Sequence, residues 1–168
     1  MSTPIISIVS KKRAGKTTLI QKLIPELKSR GLKVGTIKHD THGFDIDHEG
    51  KDTWKHKQAG AESVLISSPW KISLIKDVEK EKSLDQIVEK YFSDVDIVLT
   101  EGYKNAGKPQ VEVFRSDAHK TPLYAKGEKN PLIALMSDVP IDLDVPRFDI
   151  NDIKSLADLI QKLIIINF

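Results

Sequence analysis

The sequence predicts an α/β fold, a predominantly parallel sheet flanked by helices, with an added β-hairpin region. Three observations carry this. The apolar run Ile5-Ile6-Ser7-Ile8-Val9 passes through a short polar loop directly into a helical pattern. Further strand-like runs recur between helical stretches, and strands that alternate with helices imply parallel pairing. The run at 96–100, D-I-V-L-T, is apolar without alternation, the composition of a strand covered on both faces. With 168 residues, one domain spanning 1–168 is expected, large enough for a substantial core without staples.

The first strand, 5–9, leads into Ser10, Lys11, Lys12, Arg13, Ala14, Gly15, Lys16, Thr17 and Thr18. A strand, such a loop and then a helix make a P-loop, resembling G-x-x-x-x-G-K-[ST]. Backbone N–H groups ahead of the helix point at a phosphate, the helix N-terminus adds a favourable dipole, a lysine reaches the β and γ oxygens, and a hydroxyl binds Mg²⁺. Gly15, Lys16 and Thr17 fit these roles; the alternative is a plain helix start with threonine near its cap. One position departs from the pattern, Ser10 standing for the first glycine. Serine holds the loop without strain only if its φ is negative.

The helix after the loop carries Leu19, Ile20, Leu23, Ile24 and Leu27 on one face and ends near Gly31, with a kink expected at Pro25. Residues 32–38 read as a second strand. From 39 to 60 the pattern dissolves into a polar loop with a short helical run around Trp54, and a loop this long is usually functional or disordered. The runs 63–67 and 72–76, separated by Ser68-Pro69-Trp70-Lys71, read as a hairpin. Ser83 caps a helix with Leu84, Ile87, Val88 and Tyr91 on one side. Residues 111–115 and 132–136 are further strands, and Asn151 is the expected cap of a last helix carrying Ile153, Leu156, Ile160, Leu163 and Ile164 inward.

Composition limits the partners. Lys+Arg 26 against Asp+Glu 24 gives a net charge of +2, without the excess of a nucleic-acid-binding chain, and no recognised module or interleaved aromatics appear beside the basic loop. Cysteine is absent, which rules out disulfides and thiolate metal sites. No window approaches the roughly 20 apolar residues of a membrane span, and no signal stretch opens the chain, so a soluble cytoplasmic protein is expected. Lys11, Lys12, Arg13 and Lys16 nevertheless fall within six residues, a local field that attracts phosphate.

In parallel α/β sheets ligands bind beyond the carboxyl ends of the strands. That rule gathers residues 10–18, His39 onward, Glu101 onward and Asp138 along one edge. Glu101 ends a buried strand where P-loop proteins keep a Mg²⁺ carboxylate; the alternative is a capping or loop carboxylate. Asp138 stands where guanine-reading loops carry an aspartate, with a turn aspartate before Pro140 an equal competitor. Lys38 and His39 are candidate phosphate or ligand contacts. His39, His42, His48 and His56 with Asp45, Asp47 and Asp52 raise a metal site, but their spacing matches no tetrahedral zinc pattern. Asp45 and Asp47 fit a polar pocket or the Mg²⁺ shell better, and Trp54 reads as packing ahead of a stacking platform.

With these residues in view, the chain resembles the MobB family, the GTP-binding adaptor of molybdopterin guanine dinucleotide biosynthesis. The resemblance rests on V-G-T-I-K-H (34–39), H-G-F-D-I-D-H-E-G-K-D (42–52), A-G-A (59–61), D-I-V-L-T-E-G-Y-K (96–104) and F-D-I-N-D (148–152), in family order. It implies a P-loop fold, a homodimer, GTP and Mg²⁺, weak hydrolysis, and cooperation with the molybdopterin guanylyltransferase. The family's first loop glycine corresponds to Ser10, and its small loop residues to Lys12 and Arg13. Catalytic roles then fall to Lys16 and Glu101, metal contacts to Thr17 and Glu101, and nucleotide contacts to residues 10–18, Lys38, His39 and Asp138. In some P-loop families a lysine at the position of Lys11 reaches a partner's phosphates; the alternative is an exposed lysine that adds to the basic field. Two other functional readings remain, a P-loop small-molecule kinase whose acceptor is held by the 39–52 loop, and a scaffold that has lost nucleotide binding.

Overall fold

The computed structural model describes residues 2–127 and 131–167. The chain divides into two compact units, one formed by residues up to His39 together with those from Ser83 onward, the other by Asp40–Lys82.

The first unit is a six-stranded sheet in the order β2-β5-β1-β6-β7-β8, from β1 (Ile5–Val9), β2 (Val34–Lys38), β5 (Ile97–Glu101), β6 (Gln110–Phe114), β7 (Leu132–Ser137) and β8 (Arg147–Asp149). Every pairing in it is parallel. Successive residues of β1 and β5 are buried because both faces are covered. Ile6, Ile8, Ile97, Leu99, Val111 and Val113 pack on one side with Leu23 and Leu27 of α1 (Lys16–Ser29) and Leu156 and Ile160 of α4 (Ile153–Asn167). Ile5 and Val98 point to the other side, against Leu84 and Val88 of α3 (Leu84–Tyr91). Truncating Leu27 or Leu156, both fully buried, to alanine would cost about 2–5 kcal/mol.

The helix ends follow their sequence signals with one correction. α1 runs through Pro25, which lies on its exposed face, and closes on the expected Gly31: the Gly31 N–H donates to Lys28 O and the Leu32 N–H to Leu27 O. Ser83 and Gln86 form a reciprocal capping box on α3. α4 is capped by Asp152 rather than by Asn151. The Asp152 carboxylate accepts from the Ser155 N–H at 3.1 Å, and bonding to Ser155 holds its pKa below the ordinary aspartate value. β8 has no counterpart in the sequence expectations, and the second strand begins at Val34 rather than at residue 32.

The second unit holds α2 (Asp52–Gln58) packed on β3 (Ser63–Ser67), which pairs antiparallel with β4 (Ile72–Lys76) as the sequence predicts. Its turn is closed by the Ser68 N–H on Lys71 O at 2.8 Å. Among the described residues, Val64 is the one hairpin side chain that is buried, while Leu65, Ile66, Trp70, Ile72 and Leu74 are exposed. Among the described residues no helix is long and apolar enough to cross a membrane.

Candidate nucleotide site

The loop between β1 and α1 takes its shape from two left-handed residues, Arg13 at φ 64° and Gly15 at φ 100°. Ser10 is not among the residues with positive φ, so the missing first glycine leaves no strain at that position. The conformation that favours glycine falls instead on Arg13, at a cost of about 1–2 kcal/mol. Gly15 is the N-cap of α1 and supplies no side chain to the free N–H groups of the first turn, which also lacks an acidic residue. Such a helix start presents free donors and an aligned dipole, an arrangement that favours negative charge.

Lys16 and Thr17 extend from that first turn. Lys16 Nζ donates to the Ser10 hydroxyl at 3.0 Å, and Ser10 Oγ in turn donates to Lys11 O at 2.6 Å. Thr17 Oγ1 donates to Glu101 Oε2 at 2.9 Å. Glu101 is fixed at the end of β5 by strands on both sides, paired with Ile8 and with Lys38. Its carbonyl accepts from the His39 N–H at 3.0 Å, and the following Gly102 N–H donates to Ile8 O at 3.1 Å. Beneath it, the buried Thr100 hydroxyl donates to Ser7 Oγ at 2.9 Å.

Beyond Glu101 the chain turns through Gly102 at φ 100° and Tyr103 at φ 56°. This turn sets the Tyr103 ring against His39, with centroids 4.4 Å apart and 19° between planes. A Cβ at residue 102 would lie 3.3 Å from His39 Cβ, so the close approach of the two strand ends needs glycine there. Lys38, the last residue of β2, is exposed. Asp96 lies at the opposite end of β5, where it accepts the Lys33 N–H at 2.7 Å.

Asp138 follows β7, and its carboxylate is engaged by Ser116: the backbone N–H donates at 2.9 Å and the hydroxyl at 3.0 Å. Bonding to the Ser116 N–H holds its pKa below the ordinary aspartate value. The turn that starts at Arg115 contributes residues that the sequence reading passed over. His119 Nε2 lies 2.6 Å from Lys12 O, and Lys11 Nζ donates to Thr121 O at 2.8 Å and to its hydroxyl at 3.0 Å. Below this turn Glu112, 1% exposed, accepts the Leu123 and Tyr124 N–H groups. Burial pushes its carboxyl pKa up, with the two backbone bonds and the charges of Lys11 and Lys104 opposing. The signal was available, because the strand-end rule applies to the end of β6 as much as to the four ends it was used for.

The histidine-rich stretch past His39 belongs to the second unit. Among the described residues no group of three or more His, Asp or Glu side chains is placed to hold a metal ion. Asp47 lines a cavity of about 50 Å³ within that unit, together with Ile46, Thr53, Val64, Ile66, Ser73 and Ile75. Its Oδ1 accepts the His48 N–H at 2.8 Å, and Oδ2 is buried without a hydrogen-bond partner among the described residues. Trp54 lies on α2, half-buried.

Comparison with known proteins gives one answer. Residues 5–138 match the family model of molybdopterin guanine dinucleotide synthesis protein B, MobB. A molybdopterin-guanine dinucleotide biosynthesis adapter protein of Escherichia coli (strain K12) is 36% identical over 94% of this chain and 91% of its own length. One from Haemophilus influenzae is 35% identical over 94% and 88%. A crystal structure of molybdopterin-guanine biosynthesis protein B superposes with TM-score 0.73 at 32% identity, covering 95% of this chain and 98% of that one. The Bacillus subtilis MobB structure gives TM-score 0.74 at 26% identity, covering 95% and 96%. The chain belongs to the MobB family of molybdopterin guanine dinucleotide biosynthesis.

Proposed function

We propose that this protein is a cytoplasmic GTP-binding accessory factor that assists the molybdopterin guanylyltransferase, with slow Mg²⁺-dependent GTPase activity. The observation that carries the reading is the Thr17–Glu101 hydrogen bond beside Lys16 at the uncapped start of α1. A hydroxyl and a carboxylate in contact are hard oxygen donors of the kind Mg²⁺ takes, usually together with substrate phosphates and water. Thr17 and Glu101 would hold the ion, which neutralises phosphate charge when bound. Lys16 exchanges its bond to Ser10 for phosphate oxygens, a charge-assisted contact worth more than the one it leaves. The N–H groups of the first turn hold the phosphate by backbone alone.

The partnership is supported by the adapter names of the relatives, and the guanine preference by the family's product. A homodimer is supported by the apolar side chains of β3 and β4 that stay exposed although α2 packs on β3, among them Leu65, Ile66, Ile72 and Leu74. Isothermal titration with GTP, ATP and GDP in Mg²⁺ tests the reading. GTP is expected to bind, and Lys16→Ala to weaken it roughly tenfold or more while the fold persists. Undiminished affinity in the variant overturns the P-loop assignment, and phosphorylation of a small acceptor would make the protein a kinase.

A further inference from the structure

Arg115 is the first residue after β6, the strand beside β1, so its side chain leaves the sheet next to the loop of residues 10–15. Its guanidinium lies directly against Gly15: a Cβ built on residue 15 would stand 3.3 Å from Nε and 3.8 Å from Nη2. Gly15 therefore serves twice, through its left-handed backbone and through the space it leaves for this cation.

The approach is held from several sides. The Arg115 carbonyl accepts the Ala118 and His119 N–H groups at 3.2 and 3.0 Å. Ser116 is tied to Asp138, His119 to Lys12, and Thr121 to Lys11. Arg115 is half-buried, and among the described residues its guanidinium forms no ion pair. Asp138 is near enough to feel its charge, but the carboxylate oxygens are bonded to Ser116. Arg115 thus adds a half-buried cation beside the loop that carries Lys11, Lys12, Arg13 and Lys16, and an anion bound at that loop would meet charge of one sign from both segments. A guanidinium suits phosphate in particular, because its planar fork donates two parallel hydrogen bonds to phosphate oxygens.

We propose that Arg115 is a phosphate-binding residue of the nucleotide site, supplied from β6 of the same chain and directed at the polyphosphate of a nucleoside triphosphate. This rests on the P-loop reading above, and the ligands of the test separate the two. Titrations use Mg²⁺-GTP and inorganic tripolyphosphate on wild type, Arg115→Ala, Arg115→Lys and Lys120→Ala, the last an exposed cation of the same turn. Arg115→Ala is expected to weaken both ligands about tenfold or more, Arg115→Lys to recover part of the loss, and Lys120→Ala to stay within about twofold. Melting temperatures accompany each titration, and if Arg115→Ala melts early, Arg115→Lys against Arg115→Gln replaces it, with lysine expected to bind both ligands more tightly. Arg115→Ala within about twofold of wild type, a Lys120→Ala loss of equal size, or equal binding by the lysine and glutamine variants overturns the proposal. Wild-type protein that binds tripolyphosphate but not GTP refutes the guanine-nucleotide reading alone, and Arg115 is then judged on tripolyphosphate. Wild-type protein that binds neither overturns both.

Discussion

Thr17 Oγ1 and Glu101 Oε2, 2.9 Å apart, join the first turn of α1 to the end of β5. The contact depends on two registers, since β5 must pair with β1 so that Glu101 lies opposite Ile8, and α1 must start at Lys16 for the next residue to face that edge. Glu101→Gln preserves the length and an acceptor for the Thr17 hydroxyl while removing the charge. We predict that GTP affinity in this variant loses most of its dependence on Mg²⁺, with the melting temperature near that of wild type. Titrations in Mg²⁺ and in chelator check this, and an unchanged ratio between the two conditions would remove Glu101 from the metal site.

Arg13 carries the left-handed strain of the loop, and substitutions there should invert the usual order of alanine and glycine. Glycine at φ 64° relieves about 1–2 kcal/mol of steric cost. The freedom it adds to the unfolded chain takes back about 0.4–1 kcal/mol. Alanine keeps the Cβ and so the strain. We predict that Arg13→Gly is more stable to urea than Arg13→Ala by up to about 1.6 kcal/mol. Alanine as the more stable of the two would show that residue 13 does not hold this conformation.

Ser10 and Arg13 also show where sequence reasoning reached and where it stopped. Motif spacing identified the strand, loop and helix of a P-loop-like fold and pointed to Ser10 as the anomalous position, yet spacing does not carry φ, and the left-handed residue is Arg13. The β1 and β5 strands were legible because burial on both faces leaves an unbroken apolar run. β8 was not, because three residues, Arg147-Phe148-Asp149, are too short for any period. Asn151 and Asp152 are both good caps, and only the helix start decides between them. Glu112 falls within the expected strand at 111–115, but its burial depends on backbone from 123–124 closing over it, a contact that no local pattern carries. Arg115 sits at a strand end whose neighbours, Ser116 and Asp117, fit no motif.

Lys11 is hydrogen-bonded within its own chain, to Thr121 O at 2.8 Å and to the Thr121 hydroxyl at 3.0 Å. A lysine that served a partner's phosphates would have to give up both bonds. We therefore predict that mixing Lys11→Ala with Lys16→Ala subunits recovers no GTPase turnover beyond that of the separate variants at equal concentration. Lys11→Ala alone should speed hydrogen exchange in the 119–124 backbone, because one of its tethers to the loop is lost. Recovered turnover in the mixture would assign Lys11 to the partner's site.

Glu112 supplies a test by pH. Burial raises its pKa in the folded chain above the ordinary glutamate value, more than the Leu123 and Tyr124 N–H groups and the charges of Lys11 and Lys104 lower it. The folded state then holds this proton more tightly than the unfolded state does. Its contribution to stability is therefore greatest in acid, falls as pH rises through the unfolded pKa, and reaches its minimum once pH exceeds the folded pKa. Glu112→Gln cannot titrate. The amide keeps one acceptor for the two N–H donors and turns an NH₂ toward the other, which gives an offset that does not change with pH. Other ionisable groups cancel in the comparison, so the slope reports Glu112 alone. We predict that the stability of wild type relative to Glu112→Gln declines as pH rises from about 4 to 7, in urea titrations at each pH. A flat difference, or one that grows toward neutral pH, would mean that the backbone bonds outweigh desolvation at Glu112.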